Sequence, residues 1–115
     1  LKTGENFIID TESLDLAVSI ISVGFWEPWI ERHLLKIAKQ GANIIDAGAN
    51  IGYYSVRLGN TIVPTGRLFA FEPHPKTYFF LKNNNLGFYR RFLLLYDSII
   101  LSIGQRTRVL ELLHY

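Results

Sequence analysis

Three acids in this chain stand at the ends of short apolar runs that read as strands. Asp46 lies in Ile44-Ile45-Asp46-Ala47, Glu72 closes Phe69-Ala70-Phe71-Glu72, and Asp97 follows Phe92-Leu93-Leu94-Leu95-Tyr96. Open parallel sheets bind their ligands beyond the carboxyl ends of the strands, so acids placed there are candidates to hold one. Between the first two runs Gly48-Ala49-Asn50-Ile51-Gly52 forms a turn. Its glycines let a ligand approach the backbone where a Cβ would stand in the way, and a helix N-terminus follows directly.

The turn does not suit a dinucleotide. Cradling a pyrophosphate calls for Gly-x-Gly-x-x-Gly, whereas the spacing here is Gly-x-x-x-Gly with Asn50 at the middle glycine position. Asp46 also stands two residues before the first glycine. A carboxylate repels a pyrophosphate but attracts an ammonium or sulfonium group. Glu72 follows Gly52 by 20 residues, and the two oxygens of an acid there can accept both hydroxyls of a ribose. The ligand these features ask for is ribosylated, with a cationic end in place of a phosphate chain. S-adenosylmethionine meets that description.

The segment Ile45-Asp46-Ala47-Gly48-Ala49-Asn50-Ile51-Gly52-Tyr53-Tyr54-Ser55, with Phe71-Glu72-Pro73-His74-Pro75 after it, resembles the cofactor site of class I S-adenosylmethionine-dependent methyltransferases. The nearer resemblance is to the FkbM family. It takes in Gly24-Phe25-Trp26-Glu27 upstream and Leu81-Lys82-Asn83-Asn84-Asn85 and Ser98 through Gly104 downstream, about residues 20–105 in all. The resemblance implies that Asp46, Gly48, Asn50 and Gly52 line the methionine half of the cofactor, with Ala49 and Pro73 alongside them. It implies that Glu72 binds the ribose hydroxyls, that Asp97 and Ser98 lie near the adenine edge, and that Glu27 reaches the amino group. The implied activity is methyl transfer to a hydroxyl of a small molecule or glycan. No residue is assigned as catalytic base. The family's domain continues past this chain's last residue, with strands that supply much of the acceptor pocket.

These residues need a scaffold, and the pattern supplies one. Phe7-Ile8-Ile9 reads as a strand, and residues 11–23 are apolar with a period that fits helix or strand. Pro28 suits a first helical turn, and Trp26, Ile30, Leu34, Ile37 and Ala38 make one apolar stripe that Gly41 ends. A strand over 43–47 leads to a helix over about 51–58, stopped at Gly59. Pro64 and Gly66 mark a turn before a strand over 67–72. A third helix opens at Pro73-His74-Pro75 and frays after Lys82. Strands follow at 92–96 and over 107–113. Alternating strands and helices indicate an α/β fold with a Rossmann-like, doubly wound parallel sheet, here the truncated N-terminal half of a class I methyltransferase fold. Residues 1–115 form one partial domain, with an N-terminal strand and helix region over 1–42 and a cofactor-binding βαβαβ portion over 43–115.

Length and composition bound the alternatives. The 115 residues are 49% hydrophobic, 14% aromatic and 19% charged, which suits one globular domain and excludes a disordered, collagenous or coiled-coil chain. With no cysteine, disulfides, thiolate metal sites and cysteine nucleophiles are excluded. Residues 1–60 carry five Lys/Arg against seven Asp/Glu, and residues 61–115 carry seven against three. The one adjacent basic pair, Arg90-Arg91, is sparser than a phosphate-binding stripe, so no nucleic-acid partner is expected. The apolar runs Leu16–Trp26 and Phe92–Ile103 are shorter than a membrane span and no secretion signal opens the chain; a cytoplasmic protein is expected. His33, His74 and His114 lack metal-site spacing, and no Gly-x-Ser-x-Gly elbow is present. A start at Leu1 and an apolar finish at Tyr115 suggest a piece of a longer protein. The rival readings are a non-catalytic or degenerate nucleotide-binding module and a nicotinamide-dependent oxidoreductase.

Overall fold

The run Leu68-Phe69-Ala70-Phe71 has no polar alternation, as befits a strand with neighbours on both sides. A computed structural model, which describes residues 1–85 and 93–96, puts it at the centre of the sheet. The elements are α1 (Leu14–Val23), α2 (Pro28–Ile37), β1 (Asn43–Ala47), α3 (Tyr53–Ile62), β2 (Arg67–Phe71), α4 (Pro75–Asn85) and β3 (Leu93–Tyr96). The three strands run parallel in the order β1-β2-β3. Asp46 pairs with Ala70 and Ala47 with Phe71, so Asp46 and Glu72 come to the same end of the sheet.

Parallel crossovers share one hand, so the two helices of a β1-α3-β2-α4-β3 run fall on one face. Accordingly α3 packs on β1 and β2, while α4 and α2 pack on α3. Leu58 and Ile62 of α3, Leu68 and Ala70 of β2 and Leu81 of α4 form the core on this side. On the other face Ile45 is 72% exposed. A second cluster joins Leu16 and Ile20 of α1 to Ile51 and Tyr53, and thereby fixes α1 against the turn after β1.

The described elements from β1 onward run β1-α3-β2-α4-β3, the alternation of strands and helices that the sequence predicts, and they make a small α/β fold with a parallel sheet. The strand expected over 107–113 lies outside the described residues. Four local expectations are corrected. Phe7-Ile8-Ile9 joins no strand; instead the Asn84 side chain imitates one. The Ile8 N–H donates to Asn84 Oδ1 at 2.6 Å, and Asn84 Nδ2 donates to the Ile8 carbonyl at 2.9 Å. Residues 14–23, whose period left helix and strand both open, are helical and closed by Gly24 at φ 81°. Helix α2 ends at Ile37, before Gly41, which turns the chain into β1 at φ 83° and donates its N–H to the Ile62 carbonyl. The stripe predicted for α2 is displaced too. Ile37 is 74% exposed, whereas Glu31 is buried, because Arg57 on α3 supplies it a partner. Helix α3 continues through Gly59 to Ile62, whose fully buried side chain extends the helix's apolar face. Among the described residues no helix is long and apolar enough to cross a membrane.

Candidate functional site

The turn after β1 reverses direction through three left-handed residues, Gly48 (φ 78°), Asn50 (φ 53°) and Gly52 (φ 89°). Asparagine is among the few side chains that accept this region. At Gly48 a Cβ would meet nothing within 4 Å. Backbone conformation, not crowding, therefore requires glycine there, and the space above it is open.

Every N–H of this turn is spoken for. Those of Gly48 and Ala49 both donate to the Phe71 carbonyl at 2.9 Å. Asn50 donates to Glu72 Oε2 at 2.9 Å, Ile51 to the Asn50 side-chain oxygen at 2.8 Å, and Gly52 to the Ala49 carbonyl at 2.9 Å. The turn thus folds its donors onto the end of β2 and onto itself. A phosphate-cradling turn does the reverse and directs such donors at the ligand.

Glu72 is buried and holds two backbone segments together. Its Oε1 accepts the His74 N–H at 2.9 Å while Oε2 takes Asn50. Each carboxylate oxygen has two lone pairs, so each keeps one accepting site. Asp46 serves differently. Its Oδ2 accepts the Ser55 hydroxyl of α3 at 2.6 Å, and burial raises its carboxyl above the usual value against that bond.

A cleft of about 300 Å³ opens between the turn and α1. Gly48, Ala49 and Asn50 form one wall, Ser13, Asp15 and Leu16 the other, and Trp26, Tyr53 and Tyr54 complete it. Behind the tyrosines lies a set of charges. Tyr53 donates its hydroxyl to Glu31 Oε2 at 2.7 Å, and Tyr54 donates to Glu27 Oε2 at 2.9 Å. Arg57 pairs with Glu31 through Nε and with Glu5 through Nη1, the latter at 2.7 Å. Burial and the Glu31 carboxylate push the Tyr53 phenol up to about 12, and burial with Glu27 pushes Tyr54 up as well.

The sequence-predicted residues are therefore distributed over two shells of the same end of the sheet. Gly48, Ala49 and Asn50 face the cleft. Asp46 and Glu72 stand behind the turn, Gly52 is the buried N-cap of α3, and Pro73 is exposed just after β2. Glu27, at φ 42°, precedes α2 and turns its carboxylate to Tyr54 rather than lining the cleft. Asp97 and Ser98 lie outside the described residues. Sequence reasoning missed Asp15 and the Glu5-Arg57-Glu31 set. Glu31 and Arg57 lie 26 positions apart, so no local spacing announces the pair; an acid in an apolar helical segment was the one available signal. Among the described residues no cluster of His, Cys, Asp and Glu could hold a metal ion.

No family model matches the chain, and no curated protein does. Solved structures do. One, described as an rRNA-methylase from Clostridium thermocellum, is 19% identical with a TM-score of 0.55, over 62% of this chain and 39% of its own. Another, a precorrin-6y C5,15-methyltransferase from Geobacter metallireducens GS-15, is 23% identical with a TM-score of 0.54, over 67% and 42%. The chain spans about two fifths of the length of each. What it shares with them is fold: the described βαβαβ unit is of the kind found in these methyltransferase structures.

Proposed function

We propose that this chain is the cofactor-binding part of an S-adenosylmethionine-dependent methyltransferase of the FkbM type, acting on a hydroxyl of a sugar or other small molecule. The observation that carries the reading is the turn after β1, which closes its N–H groups on β2 and Glu72 and leaves an acid-flanked cleft beside it. That chemistry suits a ribosylated cation and suits a pyrophosphate badly. The open space over Gly48 leaves room for a ligand against the backbone.

When bound, S-adenosylmethionine supplies a methyl group already activated by its sulfonium. The chain's own work is to bind and orient. Glu72, fixed by two backbone N–H groups, keeps an accepting site on each oxygen for ribose hydroxyls. Asp46 contributes negative potential near the turn, and Gly48, Ala49 and Asn50 form the surface the ligand lies against. Asp97 and Ser98 are proposed for the adenine side on the resemblance alone. Holding donor and acceptor in register is worth roughly 7–11 kcal/mol in such displacements.

Isothermal titration with S-adenosylmethionine, S-adenosylhomocysteine and NAD tests the reading. The two sulfur nucleosides should bind and NAD should not. Binding of NAD alone would replace the proposal with a nicotinamide-dependent oxidoreductase. Binding without methyl transfer, in a protein that carries the remaining strands, would leave a non-catalytic nucleotide-binding module.

A further inference from the structure

Helix α2 turns Glu31, Leu34 and Leu35 inward, toward Arg57 of α3 and the core. Trp29, Arg32, His33, Lys36 and Ile37 occupy the opposite arc, and all are exposed. Trp29 is 64% exposed and Ile37 74%, large apolar side chains for a surface position. Trp29, His33 and Ile37 follow one another at four-residue steps, and Arg32 and Lys36 make a second row beside them. Lys39, also exposed, follows just past the helix end.

This face is positive and uncompensated. Among the described residues Arg32, Lys36 and Lys39 have no carboxylate partner; the ion pairs there belong to Arg57 and Lys76. The acids of the same segment are engaged elsewhere, Glu27 with Tyr54 and Glu31 with Tyr53 and Arg57. Arg32 and Lys36, four apart, repel each other. Lys36 in the last turn complements the helix dipole, but Arg32 lies too far from that end to gain from it. Beyond Arg32 an open groove of about 320 Å³, lined also by Phe25, Pro28 and Leu35, continues the apolar surface. Helix α1 exposes Leu14, Val18 and Ile21 as well, but it carries no cation.

We infer that this face of α2 rests on the surface of a bilayer that contains anionic lipids. Trp29 and Ile37 enter the boundary between headgroups and acyl chains, and Arg32, Lys36 and Lys39 meet the lipid phosphates. A helix of 10 residues lies on a membrane and does not cross it. A nucleic acid would use the cations and could stack on Trp29, yet an exposed isoleucine and an apolar groove gain nothing from it. Three cations are also fewer than a phosphate-tracking stripe. None of these residues lines the cleft beside the turn, so the membrane contact does not depend on the proposed cofactor.

The test is co-sedimentation of the chain with vesicles of phosphatidylcholine and phosphatidylglycerol, and with phosphatidylcholine alone. The chain should bind the mixed vesicles and leave the neutral ones, and added salt should weaken binding by screening the cations. Arg32→Gln and Lys36→Gln should each weaken it about fivefold, the worth of one cation near an anionic surface. Ile37→Ser should weaken it about tenfold, as an aliphatic side chain no longer leaves water. Val18→Ser, on the exposed face of α1, should leave binding unchanged. Tryptophan emission should shift to shorter wavelength with the mixed vesicles, and Trp29→Phe should abolish the shift. No binding to the mixed vesicles, equal binding to neutral ones, or binding that the α2 substitutions leave unchanged would overturn the inference. Without vesicle binding, capture of a single-stranded RNA through the same residues would make the partner a nucleic acid, and self-association lost in Ile37→Ser would make it a second copy of the chain.

Discussion

Glu72 reaches from the end of β2 to the backbone N–H of Asn50, 2.9 Å away, and so ties the second strand to the turn that leaves the first. A carboxylate in this place fixes the turn in its left-handed conformation at Asn50 and holds the start of the segment after β2 through the His74 N–H. Under the proposed function the same side chain would also bind the ribose, which would couple stability to ligand affinity.

Replacing Glu72 should lower both. Glu72→Ala leaves the N–H groups of Asn50 and His74 without their acceptor, a loss of about 1–3 kcal/mol for each group that water does not reach. Glu72→Gln keeps one acceptor but turns an amide donor toward the other N–H, so it should lie between the wild type and Ala in stability. Urea denaturation measures this, and titration with S-adenosylhomocysteine should show weaker binding in both variants. A Glu72→Ala protein as stable as the wild type would mean that the bridge contributes nothing to the turn.

Asp46 should show opposite signs for stability and binding. Its folded carboxyl lies above the ordinary 3.8 because burial disfavours the charge. Between that value and the higher folded one, the native state holds more protons than the unfolded state, so this group's contribution to stability falls as pH rises through the window. Asp46→Asn keeps an acceptor for Ser55 and removes the charge. Urea melts from about pH 3.5 to 7 should show the variant losing that decline, with stability at neutral pH equal to or above that of the wild type. Affinity for a cationic ligand should drop. Parallel stability curves for the two proteins would contradict the burial of this carboxyl.

The parts legible in the sequence were those with local signatures. The strand at 43–47, the turn glycines, the strand at 67–71 and the proline-led helix each announce themselves within a few residues. Illegible were features set by partners far along the chain. Ile8 reads as strand, yet Asn84, 76 positions away, takes its backbone groups. Helix α2 presents Ile37 to solvent and buries Glu31, against its apolar pattern, because Arg57 waits on α3. Gly59 reads as a stop, but the helix gains more by burying Ile62 than it loses to one glycine, whose cost relative to alanine is about 1 kcal/mol. At the site, the two acids at strand ends were readable; that α1 would form the other wall of the cleft beside the turn was not, since its residues had no decisive period.

Arg57 compensates a buried carboxylate, so its removal should cost more than the pair is worth. Arg57→Met leaves Glu31, 5% exposed at its side chain, with the Tyr53 hydroxyl as its remaining partner. Stranding a charge in this way costs about 3 kcal/mol. The double variant Glu31→Leu with Arg57→Met should recover most of it, because two apolar side chains replace two charges. Denaturation of the two single variants and the double gives the coupling. Additive losses would show that the two residues act independently.

The one-sided covering of the sheet makes a further contrast. Leu68 is 2% exposed beneath α3, whereas Ile45 on the opposite face is 72% exposed. Leu68→Ala should cost about 2–5 kcal/mol, and Ile45→Ala less than about 0.5 kcal/mol. Chemical denaturation of the two variants reads both. A large loss at Ile45 would mean that this face is covered in solution.

Tyr53 and Tyr54 should report on the charged set behind the cleft in an alkaline titration. Both phenols are raised by burial and by the carboxylates that accept their protons, Tyr53 to about 12 from an ordinary value of 10.0. A raised phenol contributes stability that is fully present below the unfolded value and is lost as pH climbs toward the folded one. The wild type should therefore lose stability steeply above about pH 10. Tyr53→Phe and Tyr54→Phe should each flatten that decline, while lowering stability at neutral pH by about 0.5–1.5 kcal/mol for the lost hydrogen bond. Phenolate absorbance gives a second reading: Tyr53 and Tyr54 should ionise only as the chain unfolds, and each Phe variant should remove one phenolate from that late step. If neither Phe variant changes the ionisation seen while the chain unfolds, the hydroxyls are not held by Glu27 and Glu31.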